Sequence, residues 1–222
     1  MTLKAIVFDT GGVLYHRPRE DRHLAEFLDR HGLKLRHRAV LNRALRAARF
    51  DAHTGRISLE DLYDAILRIH NLPEDDEWFA EGREALYRDA ADIELFPGVV
   101  ETLNALQEAG YRLAAVSDTA HAAGEKIAWL AARGLSPGLW TAFIVSSDVG
   151  STLAEGAIFA RALRHLDAAA EETAFVGHAS DELECASEMS MVTIAFLPDD
   201  PGAQAHYTIG SFYGLAELFL EA

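Results

Sequence analysis

Four short stretches carry residues that could do chemistry, and each follows an apolar run. Ala5-Ile6-Val7-Phe8 ends on Asp9, with Thr10, Gly11 and Gly12 directly after it. Tyr111-Arg112-Leu113-Ala114-Ala115-Val116 ends on Ser117-Asp118-Thr119. Ala142-Phe143-Ile144-Val145 leads through Ser146-Ser147-Asp148-Val149-Gly150 to Leu153-Ala154-Glu155-Gly156. Thr173-Ala174-Phe175-Val176-Gly177 runs into His178, with Asp181 and Glu182 a few residues on. A carboxylate at the carboxyl end of a buried strand stands where open α/β sheets bind ligands. The two glycines let the backbone turn sharply and approach a bound group. A strand-end hydroxyl such as Ser117 can donate to a phosphate oxygen. His178 with Asp9 and an acid from Asp181 or Glu182 would make a nitrogen-and-oxygen donor set of the kind transition metals accept. Each has a plainer alternative: Asp9 capping a turn, Ser117 capping a helix, His178 as a polar residue at a strand end.

The elements that must position these residues follow from hydrophobic periodicity. Uninterrupted apolar runs of four to six residues read as strands buried on both faces of a parallel sheet. Val192-Thr193-Ile194-Ala195-Phe196 is a fifth run of this kind, and Tyr207-Thr208-Ile209 reads as a short edge strand. Between the first strand and the rest lies a block with helical spacing only: Leu24, Phe27 and Leu28, then Val40, Leu41, Ala44 and Leu45. Ser58-Leu59-Glu60-Asp61 reads as a capping box opening a third helix, and Pro73 as the start of a fourth. Phe96-Pro97-Gly98 marks the return to the core. Ser211 is placed to cap a closing helix carrying Leu215, Leu218 and Phe219. The expected organisation is an α/β core of residues 1–17 and 92–222, a Rossmann-like parallel sheet flanked by helices, with a helical cap subdomain inserted at 18–91.

Composition narrows the class. The chain has 222 residues, half of them hydrophobic and a quarter charged, enough for a substantial core and unlike a disordered segment. A net charge of −15 argues against nucleic acid as a partner. No charged-then-apolar leader and no apolar run near ~18 residues is present, so neither secretion nor a membrane span is expected. The one cysteine, Cys185, rules out an internal disulfide and fits a cytoplasmic location. Charge is unevenly spread: residues 17–49 hold ten Lys/Arg against four acids. That excess reads either as a solvated helix face or as an anion-attracting lid over the site.

Phe8-Asp9-Thr10-Gly11-Gly12-Val13-Leu14 resembles the first motif of the haloacid dehalogenase-like (HAD) superfamily, and the order of the later stretches resembles that family over nearly the whole chain. The resemblance implies a hydrolase, commonly a phosphatase, with Asp9 as nucleophile and Ser117 as the hydroxyl that holds the phosphoryl group. Substrate contacts would come from Thr10, Gly11, Gly12, Ser117 and Asp118. The partner would be a small phosphorylated molecule, with no nucleic acid or membrane, and the protein a monomer or homodimer. Magnesium is the cofactor the family implies, held here by Asp9, the Gly11 carbonyl and groups among His178, Asp181 and Glu182. The sequence departs from the pattern at four places. Gly11 stands for the acid/base Asp, Asp118 for an Asn, Leu153 for the Lys, and His178 for the metal-binding Asp. Magnesium prefers oxygen ligands in octahedral geometry, so imidazole is a poor replacement and the site looks impaired. Phosphoryl transfer depends on positioned positive charge, and each lost stabiliser costs about 10²–10³ in rate. Weak or lost phosphatase activity is therefore expected. The alternatives are a non-catalytic module binding a small anion or protein and, ranked last, a 2-haloacid dehalogenase.

Overall fold

The computed structural model describes residues 3–220. In chain order its elements are β1 (Ala5–Asp9), β2 (Tyr15–His16), α1 (Arg22–Arg30), α2 (Arg38–His53), α3 (Leu59–Ile69), α4 (Asp76–Ala91) and β3 (Glu94–Leu95). There follow α5 (Val99–Glu108), β4 (Arg112–Ser117), α6 (Ala123–Ala131), β5 (Trp140–Val145), α7 (Ser146–Val149) and α8 (Ala157–Leu166). The chain closes with β6 (Thr173–Gly177), α9 (Ser180–Glu188), β7 (Val192–Phe196), β8 (Tyr207–Ile209) and α10 (Phe212–Leu220).

Six strands form one sheet in the order β5-β4-β1-β6-β7-β8, parallel throughout. All five residues of β1 are buried, because β1 lies between β4 and β6 and is covered on both faces. Side chains alternate between those faces. Ile6 and Phe8 enter one core with Leu103 of α5, Leu130 of α6 and Phe212 of α10. Ala5 and Val7 enter the other, with Phe159 of α8 and Leu183 of α9. Each fully buried side chain of this size contributes about 1.5–3 kcal/mol, so the sheet is the rigid element of the molecule.

Helices α1–α4 have an apolar cluster of their own, including Leu24, Phe27, Leu67, Phe79 and Leu86. The Ser58–Asp61 capping box opens α3: the Ser58 hydroxyl accepts from the Asp61 amide at 3.0 Å, and Asp61 accepts from the Ser58 amide at 3.0 Å. Helix α4 starts at Asp76 rather than at Pro73, because the Asp75 carboxylate caps it, accepting from the Glu77 and Trp78 amides. Where the chain leaves the sheet and returns to it, β2 and β3 pair antiparallel, Tyr15 opposite Leu95 and His16 opposite Glu94. No helix among the described residues is long and apolar enough to cross a membrane.

Candidate active site

A cavity of about 790 Å³ lies between the carboxyl ends of the sheet strands and helices α2 and α3. Asp9, Ser117 and His178, the terminal or following residues of β1, β4 and β6, all line it. Parallel strands deliver their carboxyl ends to one edge, which is why residues more than a hundred positions apart meet here.

Asp9 is buried and its carboxylate is held by two groups. Its Oδ1 accepts from the Thr10 amide at 2.7 Å, and its Oδ2 lies 3.3 Å from Nδ1 of His178. Burial and the neighbouring Glu182 push its pKa up to about 6, against the pull of His178 and the Thr10 amide. The Thr10 hydroxyl donates to Ser117 Oγ at 2.8 Å. Thr10 itself is wholly buried and is not among the residues lining the cavity, so its side chain meets Ser117 there and not the cavity. Nor does Ser117 cap a helix, since α6 begins at Ala123.

His178 is fixed from three sides. Its Nδ1 lies 3.1 Å from Glu182 Oε1 as well as 3.3 Å from Asp9, and its Nε2 lies 3.7 Å from the exposed Asp199 carboxylate. Gly12 allows the ring to come close: with φ +78°, it has no Cβ where one would stand 2.7 Å from the imidazole. The hydrogen bonds to Asp9 and Glu182 raise the His178 pKa to about 10, so the ring is an imidazolium at neutral pH. Glu182, buried on the first turn of α9, accepts at one oxygen from the His178 amide (2.7 Å), the Ala179 amide (2.8 Å) and the His178 ring. Of the two acids left open by the sequence, Glu182 is thus the one that engages His178, while Asp181 lines the cavity and accepts from the Glu182 amide.

Ligand atoms of Asp9, His178 and Glu182 all lie within 4.8 Å of one another, the spacing of a metal centre. Their arrangement does not fit magnesium. The ion requires hard oxygen donors, and here one of the three groups is an imidazole, while one Glu182 oxygen already faces the His178 amide, the Ala179 amide and the His178 ring.

Asp118 and Leu153, two of the departures seen in the sequence, are joined: Asp118 Oδ1 accepts from the Leu153 amide at 3.0 Å. Burial, with the charges of Asp9, Glu182 and Asp181, lifts the Asp118 pKa to about 7 against the pull of the Leu153 amide. Leu153 is buried and supplies a backbone donor in place of a cation.

Cations reach the cavity from elsewhere. Of the ten basic residues between 17 and 49, Arg17, Arg38 and Arg49 line it, Arg38 paired with Glu20. Lys126 lines it too, and it is buried on α6, where a surface position is the default for a lysine. Burial and the nearby charges of Arg49 and Lys126 push the His53 pKa down, so a neutral imidazole stands beside these two cations. Across the cavity wall, Tyr63 of α3 hydrogen-bonds His121 of the β4–α6 loop at 3.0 Å. Burial drives His121 down to about pH 4 and keeps it neutral. Asp199 was not singled out by the sequence, and Lys126, the core lysine after Ser117, reads there as a candidate substitute for the Lys that Leu153 replaces, with a surface lysine as the default reading. The available signals were the apolar run around Lys126 on α6 and a loop of acids at a strand's carboxyl end.

A parallel α/β sheet with a strand-end aspartate facing a cavity at its carboxyl edge defines a Rossmann-like class in which such an edge is the active site. A family model of haloacid dehalogenase-like hydrolases matches residues 3–188, and the chain belongs to that family. No curated protein matches the sequence. Several solved structures share the fold at low identity. A 2-haloacid dehalogenase from Pseudomonas syringae pv. Tomato DC3000 is 17% identical over 99% of both chains, with a TM-score of 0.74. A predicted phosphoglycolate phosphatase from Haemophilus somnus 129pt is 16% identical over 98% of both, TM-score 0.71. A HAD phosphatase from Thermococcus onnurineus is 19% identical over 97% of both, TM-score 0.64.

Proposed function

We propose that this chain is a hydrolase of small phosphate monoesters that uses Asp9 as nucleophile and works slowly, without a divalent cation. The observation that carries the reading is the His178 ring seated against Asp9 Oδ2 and Glu182, in the position the family pattern gives to a metal. A charged ring against one oxygen of Asp9 keeps the carboxylate ionised and oriented at the cavity wall. Ser117, held by Thr10, donates to a phosphoryl oxygen. Arg17 and Arg49 supply the charge that draws in a dianion and steadies it during transfer. One positive charge at His178 in place of a dication accounts for the low rate. Helices α1–α4 serve as the cap over the site, excluding water and setting the substrate. The protein would act on a phosphorylated metabolite in the cytoplasm, as a monomer or homodimer.

A second reading draws on the same observation. Displacement of halide at carbon by a carboxylate needs no divalent cation, and one of the structural neighbours is a 2-haloacid dehalogenase. One panel separates the readings: 4-nitrophenyl phosphate, small phosphorylated acids and 2-chloropropionate, each with EDTA and with magnesium, on wild type and Asp9→Asn. Phosphate release that persists in EDTA and disappears in Asp9→Asn supports the phosphatase reading. Chloride release lost in Asp9→Asn supports the second. Turnover that appears only with magnesium overturns the metal-free site. Inorganic phosphate binding without any turnover identifies a binding module.

A further inference from the structure

The loop after Asp9 folds back on itself. The Gly12 amide donates to the Tyr15 carbonyl at 2.9 Å, and Gly11 forms an isolated bridge with Tyr15. This turn returns the Tyr15 side chain over Gly11: its hydroxyl is the one atom within 4 Å of the point where a Cβ on Gly11 would stand, at 3.7 Å. The space that a side chain two residues after the nucleophile would use is therefore reached by a phenol. Tyr15 is 3% exposed and lines the cavity with Asp9. The Lys126 ammonium, 4% exposed, donates to the Tyr15 hydroxyl and lies 4.8 Å from the centre of its ring. Trp129 covers Lys126 from the other side, 5.8 Å from its ring centre. The Tyr15 hydroxyl accepts this bond, so its oxygen is held in place and its own proton is left for another partner, which suits a group that gives up and regains a proton.

We propose that Tyr15 is the proton donor and acceptor of the active site, with Lys126 as the positioning residue that holds its hydroxyl. The inference rests on the phosphatase reading and deepens it. In the first step an Asp9 oxygen bonds to phosphorus while the bond from phosphorus to the ester oxygen breaks. The Tyr15 proton passes to that oxygen, releasing the alcohol and leaving a phenolate beside the Lys126 ammonium. In the second step water attacks the phosphoaspartate, its proton goes to the phenolate, and inorganic phosphate leaves with the Asp9 carboxylate restored. The sum is ester plus water giving alcohol plus phosphate, with every proton returned.

The test uses Tyr15→Phe, Lys126→Met, Lys126→Arg and Asp9→Asn, each checked for folding by circular dichroism and thermal melting. An alkyl ester needs a proton on its leaving oxygen, and 4-nitrophenol does not. Tyr15→Phe should therefore lose about 10²–10³ in kcat/KM on an alkyl phosphate such as glycerol phosphate and far less in the first step with 4-nitrophenyl phosphate. Because the second step still needs the base, Tyr15→Phe should also accumulate phosphorylated chain on 4-nitrophenyl phosphate, seen by intact mass after acid quench. Lys126→Met should behave alike, and Lys126→Arg should recover part of the loss. Equal losses on both esters with no phosphorylated chain in Tyr15→Phe overturn the proposal while leaving Asp9 as nucleophile. Turnover surviving in Asp9→Asn sinks the nucleophile reading. The leaving-group dependence of Tyr15→Phe then still decides the proton role, because protonation of the alcohol does not depend on which oxygen attacks.

Discussion

Replacing His178 by aspartate should convert the site into one that binds magnesium. In the wild type the imidazolium neutralises part of the charge of two buried carboxylates, Asp9 at 3.3 Å and Glu182 at 3.1 Å. His178→Asp removes that cation and adds a third carboxylate. At an effective dielectric of about 20, two unit charges about 4 Å apart interact by about 4 kcal/mol. The metal-free variant should therefore be destabilised by several kcal/mol, relieved in part by protonation. The same three oxygens, with the Gly11 carbonyl nearby, form a hard donor set suited to magnesium. With a dissociation constant of about 0.1 mM, about 10 mM magnesium stabilises the folded variant by about 2.7 kcal/mol. For a chain of this length that raises the melting temperature by about 5–11 °C. The wild type should move by less than about 1 °C, because its imidazolium must first be displaced. Thermal melting of both proteins in EDTA and in magnesium reads this directly, and hydrolysis of 4-nitrophenyl phosphate by the variant should become magnesium-dependent. Equal magnesium stabilisation of the wild type would show that His178 does not hold the cation's place. A folded variant indifferent to magnesium would show that the triad lacks the geometry of a metal centre.

Three further outcomes are expected. Gly12→Ala forces a side chain into the left-handed region and against the His178 ring, costing about 1–3 kcal/mol in backbone strain. Both the melting temperature and turnover should fall, and retention of both would show that the ring has room. Asp118→Asn keeps the acceptor for the Leu153 amide and removes a buried charge. The folded-state pKa of about 7 lies above the usual 3.8, so the Asp118 contribution is fully present below pH 3.8 and is lost as pH rises through 7. Urea unfolding should therefore find Asp118→Asn more stable than wild type by about 1–3 kcal/mol at pH 8 and nearly equal at pH 4. Asp89→Ala removes the carboxylate that accepts from the His23 and Leu24 amides at 2.8 and 2.9 Å, the cap that Asp21 does not provide for α1. The expected cost is about 1–2 kcal/mol in urea unfolding, and no change would mean that water replaces the carboxylate.

What the sequence made legible was whatever a single buried strand dictates. The runs ending at Asp9, Ser117 and Gly177 could be read as strands of one parallel sheet, and parallel strands put their ends together. The helical block was legible from periodicity and from the Ser58 capping box. The β2–β3 ribbon was not, because two residues per strand show no period. Nor was the choice of Glu182 over Asp181, which turns on which side chain of the first turn of α9 points back at the His178 amide. Lys126 was hidden for a different reason. A lysine is ordinarily placed at the surface by its charge, and only the packing of Tyr15 and Trp129 around it shows otherwise.

The four departures from the family pattern read, position by position, as losses. In three dimensions each stands beside an atom that a one-dimensional reading cannot supply. Gly11 is faced by the Tyr15 hydroxyl, which comes from four residues further along a folded-back loop. Leu153 gives its backbone N–H to Asp118, so those two replacements satisfy each other. Burial and the neighbouring acids raise the Asp118 pKa against the pull of that bond, which weakens its repulsion of a bound anion. On the proposed reading, His178, whose pKa its carboxylate neighbours raise, contributes positive charge beside Asp9. Positive charge at the site therefore falls in amount, but it is covalently part of the chain, on His178, Lys126 and the arginines of the helical block. If the proposed reading holds, such a site trades peak electrostatic stabilisation for independence of metal supply. That is why turnover in EDTA, more than turnover itself, is the observation on which its chemistry turns.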